Sequence, residues 1–216
     1  MPTILFSSFL GDNALEFYQQ VVTYLGQATG LNTSMVTGLP ATERDRQVDA
    51  GEIQVVFTCG LPYVRKADRR PPLLCLLAAP VVAEARYCDR PVYFSDVIVR
   101  RDSAYKSLDD LRGAVFAYNE SCSLSGYMLP CYHLWQRGEP GPFFGRTVHS
   151  GSHAASMDWV EQGRGDAAAI DSVVLTMELA ERPERAANFR IVDTAGPAPM
   201  PPVAASTALP ASTRQQ

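Results

Sequence analysis

The residues best equipped for chemistry follow one apolar run. After Ala114 to Tyr118 come Asn119, Glu120, Ser121, Cys122, Ser123, Leu124, Ser125, Gly126 and Tyr127, which lead into a segment of helical character. Small hydroxyl residues between a strand and a helix suit an anion. The first N–H groups of a helix have no acceptor within it, its dipole is positive there, and serine hydroxyls add donors. Gly126 would let a ligand or a neighbouring backbone come close. The plainer alternative is that one serine caps the helix and nothing more.

Three further polar groups also follow strand-like runs: Tyr63, the segment Ser150-Gly151-Ser152-His153, and Asp171-Ser172. Ligands of open α/β sheets bind beyond the carboxyl ends of the strands, so these groups and the serine stretch are expected to face one cleft. Each has a structural alternative: Tyr63 as an amphipathic core side chain, His153 as a helix-start residue, Asp171 as a helix cap. Cys131 with His133, or His149 with His153, matches no standard metal-ligand spacing, and neither a metal nor a cofactor is implied.

The elements that must position these groups can be read from the spacing of apolar residues. Thr3 to Phe9 is a buried strand, and Asn13 with Glu16 predicts a capped helix carrying Leu15, Tyr18, Val22 and Leu25 until Gly30 stops it. A strand near Thr33 to Thr37, a helix from Thr42 to Ala50, a strand from Ile53 to Thr58 and an apolar strand within Leu73 to Val82 follow. Pro91 to Arg100 opens a second alternation. Ser107 caps a short helix ending at Gly113, Ala114 to Tyr118 is a strand, and a helix runs to about Gly138. Next come a strand from Phe144 to Ser150, a helix from Ser152 to Gly163, a strand from Asp166 to Ile170, a helix from Ser172 to Ala180 and a strand from Arg190 to Asp193. The proline-rich segment 196–202 is an extended, stiff crossing.

Repeated βα alternation predicts an α/β protein with mostly parallel sheets and helices on both faces. Two runs of about 90 residues exceed what one small sheet needs, so two lobes are expected, 1–92 with 194–216 and 93–193. Two hinge crossings are expected, near Tyr87 to Phe94 and near Asp193 to Pro201.

At 216 residues with 46% hydrophobic residues the chain can build real cores, and a net charge of −4 gives no footprint for nucleic acid or an anionic membrane. Any anion is therefore caught by local geometry, and the ligand is small. No apolar run is long enough for membrane insertion, and the N-terminus has no basic segment followed by an apolar one, so no signal peptide is expected. The five cysteines contain no CxxC pair. They read as free, mostly buried thiols, which fit a reducing compartment such as the cytoplasm.

The ordered pieces CGLPYV (59–64), YFSDVIVRRDSAYKSLDDLRG (93–113), SLSGYMLP (123–130), SGSHAASMDWVEQGRGDAAAIDS (150–172) and GPAPMPP (196–202) carry a resemblance. Over about residues 3 to 210 the chain resembles the periplasmic phosphate/phosphonate-binding proteins of ABC transporters, which have the two-lobed type II substrate-binding fold. The resemblance implies that Ser121, Ser123, Leu124, Ser125 and Gly126 form the loop around the phosphonate or phosphate oxygens. It implies further that Tyr63 and Tyr93 contribute from the first lobe and hinge, while His153 and Asp171 address the rest of the ligand. It also implies a periplasmic location and an ABC permease as partner. Two residues depart from the family pattern. Leu124 stands where the family usually has the threonine of Ser-Thr-Ser, which removes one hydroxyl, and Gln54 stands where an acidic residue is common. The resemblance also implies a final helix packed on the first lobe, expected where the chain stops at Gln216.

The leading expectation is a non-enzymatic binder of a small oxyanion. A second is a ligand-sensing regulatory domain using the same cleft without a transporter. A third is an enzyme with Ser123 or Cys122 as nucleophile, His153 as base and Asp171 as orienter, although the Gly-x-Ser-x-Gly elbow is missing.

Overall fold

The computed structural model describes residues 3–11, 14–139 and 141–215. The chain divides into two compact units, one of residues up to Pro91 together with those from Met200 onward, the other Val92–Pro199.

The first unit holds β1 (Ile4–Ser8), α1 (Leu15–Thr29), β2 (Thr33–Met35), α2 (Ala41–Asp49), β3 (Val55–Phe57), α3 (Gly60–Ala67) and β4 (Leu74–Ala78). The chain re-enters it much later. Alternation along the strands sends successive side chains to opposite faces. Ile4, Phe6, Val55, Phe57 and Ala205 pack with Val22 of α1, whereas Val56, Leu74 and Ala204 pack with Val48 of α2 and with Tyr63. Gly30, left-handed at φ 71°, ends α1 as expected. The cap assigned to Asn13 lies outside the described residues. Gln54 clamps the sheet from within: its Oε1 accepts the Leu5 N–H at 2.8 Å, and its Nε2 donates to the Gly51 and Glu52 carbonyls.

The second unit holds β5 (Val92–Arg100), β6 (Val115–Tyr118), α4 (Leu129–Gln136), β7 (Arg146–His149), α5 (His153–Glu161), β8 (Ala167–Asp171), α6 (Ser172–Glu181) and β9 (Phe189–Pro199). One face of its sheet, with Val97, Val99, Phe116 and Ala169, packs on Leu134 of α4. The other, with Ile98, Ala117, Ala168 and Ile170, packs on Met157 and Val160 of α5 and Leu175 of α6. Arg185 ties α5 to α6, reaching Glu178 at 2.6 Å, Asp158 at 2.7 Å and Glu161 at 2.8 Å from a nearly buried position. A buried cation needs such partners, and this one fixes the helix that begins at His153.

The sheets are mixed rather than mostly parallel. The first runs β2-β1-β3-β10-β4, where β10 (Val203–Ser206) is antiparallel to both neighbours. The second runs β7-β6-β8-β5-β9, with β5 antiparallel to β8 and β9. In both, the strands joined by βα connections run parallel, and the strand that brings the chain into the unit runs against its neighbours.

Other expectations need correction. Ser107 does not cap the turn that follows it. Asp110, inside that turn, instead reaches back, its Oδ2 accepting the Lys106 and Ser107 N–H groups at 2.8 and 2.9 Å. The cysteines are not mostly buried: Cys88, Cys122 and Cys131 are exposed, and Cys59 and Cys75 half-buried. Among the described residues no helix is long and apolar enough to cross a membrane.

Candidate functional site

The serine stretch begins where β6 ends. A turn closed by the Ser123 N–H on the Glu120 carbonyl leads into one wide, π-helical turn, Leu124–Met128, which continues directly into α4. Ser123 caps this turn: its Oγ accepts the Gly126 N–H at 3.1 Å. The first regular bond of the turn runs from the Met128 N–H to the Ser123 carbonyl, so the N–H groups of Leu124 and Ser125 have no acceptor within the helix. A wide turn of this kind inside a helix is uncommon and recurs at functional sites.

Ser125 is nearly buried and held from two sides. Its carbonyl accepts the Ser95 hydroxyl at 2.6 Å, and its Oγ lies 3.2 Å from His153 Nε2. His153 opens α5, which is capped by the Ser152 hydroxyl accepting from the Ala155 N–H at 3.0 Å. Burial pushes the His153 imidazole down to about 4, against a weaker upward pull from the Ala169 carbonyl. Among the described residues Nδ1 is buried with no hydrogen-bond partner. The ring is therefore neutral at physiological pH.

Asp171 ends β8 and caps α6, its Oδ1 accepting the Val173 N–H at 2.8 Å and the Val174 N–H at 3.4 Å. Burial raises its carboxyl to about 6, opposed by those two N–H groups and reinforced by nearby Asp96. Across the sheet Asp171 pairs with Ser95, the residue that holds the Ser125 carbonyl. Ser172 takes the Phe94 N–H on its hydroxyl at 3.0 Å.

Ser123, Ser125, Gly126, His153 and Asp171 thus meet at one end of the second unit's sheet. Leu124 is half-buried at the first position of the wide turn and supplies a backbone N–H but no hydroxyl. Tyr93 is buried near the start of β5. Ser121 is exposed in the preceding turn. Tyr63 lies in the first unit, inside the first turn of α3 rather than in a loop. Ser172 stands beside Asp171 as expected, whereas Ser95 gives no sign in the sequence, because a serine within an apolar strand does not reveal which backbone group it will hold. A cavity of about 400 Å³ lined by Phe116, Trp135 and Phe143 touches the loop only at Tyr127.

Chemically the site is a set of donors without a formal positive charge: two helical N–H groups, two hydroxyls and a neutral imidazole. That suits a small anion. It suits nucleophilic catalysis poorly. Ser125, not Ser123 or Cys122, meets His153, but an imidazole at about 4 is a weak base, and among the described residues no carboxylate orients its Nδ1.

The chain matches known proteins along nearly its whole length. The family of ABC transporter, phosphonate, periplasmic substrate-binding proteins matches residues 4–216. A protein of Prochlorococcus marinus (strain MIT 9301), named as the ABC transporter phosphite-binding protein PhnD1, is 34% identical over 176 residues, covering 81% of this chain and 53% of the relative. The chain thus spans about half the length of that curated relative. Among solved structures, a binding component of an ABC phosphonate transporter from Pseudomonas aeruginosa superposes with a TM-score of 0.81 at 20% identity, covering 99% of this chain and 72% of that one. PhnD1 of P. marinus in complex with methylphosphonate superposes with a TM-score of 0.77 at 19% identity, covering 96% of this chain and 77% of that one. These neighbours share the type II periplasmic-binding-protein fold. The match along nearly the whole chain, with the serine loop, His153 and Asp171 inside it, shows that the chain belongs to the family of periplasmic substrate-binding proteins of ABC phosphonate transporters.

Proposed function

We propose that the protein binds a small phosphorus oxyanion, of the phosphonate, phosphite or phosphate type, at the Ser123 to Gly126 loop. It would serve as the capturing component of an ABC uptake system that includes a membrane permease. The observation that carries this reading is the convergence of the Ser123 and Ser125 hydroxyls with the N–H groups of Leu124 and Ser125, which have no acceptor within the helix, beside a neutral His153. With the ring neutral, one hydrogen is shared between Ser125 Oγ and Nε2. An anion at Ser125 takes the hydroxyl hydrogen, so it selects the form in which His153 donates from Nε2.

Asp171 gives the site its discrimination. With Oδ1 committed to α6, its other oxygen would accept a hydrogen from the ligand, either a P–OH or an ammonium on the substituent. Sulfate, fully ionised at neutral pH, offers no such hydrogen and leaves two negative groups facing each other. Tyr93 would buttress the loop from β5.

Thermal melting with phosphate, phosphite, methylphosphonate, aminoethylphosphonate, sulfate and simple carboxylates tests the reading. A ligand at a hundred times its Kd stabilises the folded form by about 2.7 kcal/mol. At least one phosphorus oxyanion is expected to raise Tm, and sulfate to raise it less. A flat response across the panel would rule the reading out.

A further inference from the structure

The loop and the histidine that meet at the site belong to different segments, and one side chain of a third lies against Gly126 of the loop. Asn119, the residue after β6, is 9% exposed, and its Oδ1 is buried with no hydrogen-bond partner among the described residues. Its backbone carbonyl accepts the Gly151 N–H at 3.1 Å, pinning the segment that leads to His153. Its side chain lies on Gly126: a Cβ placed at Gly126 would overlap the Asn119 amide and come within 3.2 Å of His153 Cε1. Gly126 has no left-handed φ to explain a glycine there, so its reason is room for these two side chains.

A buried acceptor without a donor costs stability, and folds keep such groups mainly where position matters more. We infer that Asn119 is a positioning residue of the oxyanion site, which sets the depth of Gly126 and thereby the register of the Ser125 hydroxyl against His153. The inference rests on the proposed binding role of that loop. It goes beyond that role, because Asn119 acts without touching the ligand. The same packing accounts for the glycine: any larger residue at 126 pushes on the amide and lifts the loop from the histidine.

Asn119→Ala, Gly126→Ala and the double variant test this, with methylphosphonate and phosphite affinities measured by calorimetry and melting followed alongside. Asn119→Ala is expected to bind about tenfold more weakly at an unchanged or higher Tm, since its Oδ1 has no bond to lose. Gly126→Ala is expected to lose tenfold or more, and the double variant to bind better than Gly126→Ala, because the overlapping amide is gone. An affinity for Asn119→Ala within twofold of the parent, or a double variant no better than Gly126→Ala, overturns the inference. Should the parent bind neither probe, the functional reading fails, and the ligand-free protein still decides this one. The His153 Cε1–H resonance is expected to move in Asn119→Ala, and an unmoved resonance overturns the positioning role.

Discussion

Ser125→Ala and Ser123→Ala are each expected to weaken phosphonate binding about tenfold to hundredfold. Each removes a hydrogen bond to a charged group, worth about 1.5 to 3 kcal/mol. The two variants differ in what else they lose. Ser123 also caps the wide turn through the Gly126 N–H, so its replacement costs about 1 kcal/mol of stability as well. Ser125 supplies the partner of His153 Nε2, so its replacement leaves the ring short of a bond, again about 1 kcal/mol. Neither loss approaches the stability of a folded domain, so calorimetry on folded protein reads the affinity change cleanly. Normal binding by both site variants would reduce the serines to caps.

The pH dependence of stability should show two buried groups working against each other. His153 falls from 6.5 to about 4 in the fold, so the fold favours its neutral form. The associated stability is fully present above pH 6.5 and is lost as the pH falls toward 4. Asp171 rises from 3.8 to about 6, so the fold favours its protonated form. Its contribution is fully present below pH 3.8 and is lost as the pH climbs through 6. Shifts of this size correspond to about 3 kcal/mol each, at 1.36 kcal/mol per pH unit. Between pH 7 and pH 4 the two largely offset in the parent protein. Asp171→Asn keeps a cap for α6 but removes the opposing titration, so acidification from pH 7 to 4 should cost it about 3 kcal/mol more than it costs the parent. His153→Gln should move the other way and gain relative to the parent on acidification. Urea unfolding at several pH values measures both. Parallel profiles for parent and variants would mean that neither group carries the shift assigned to it.

Most strands and helices were legible because their apolar residues recur with clear periods. Val55, Val56 and Phe57 alternate between two cores, and the run 153–161 is helical from its serine cap onward. β10 escaped notice because Val203, Ala204, Ala205 and Ser206 are small. Their place between β3 and β4 depends on partners about 130 to 150 residues earlier in the chain. The long β9 was read only to Asp193, since the prolines at 197 and 199 argue against a central strand. At the edge of the sheet they are tolerated. At the site, Ser123, Ser125, His153 and Asp171 were visible as types in the right loops. Asn119 stood in the same stretch without a role of its own and Ser95 was not singled out, because what they do depends on atoms they meet across the fold.

The central claim is that the oxyanion sits on the Ser123 to Gly126 loop. Titrating ¹⁵N-labelled protein with methylphosphonate while following the backbone amides tests it most directly. The account predicts saturable, downfield movement of the Leu124 and Ser125 N–H signals, since these N–H groups have no acceptor within the helix. Saturable binding that leaves both signals in place would contradict it.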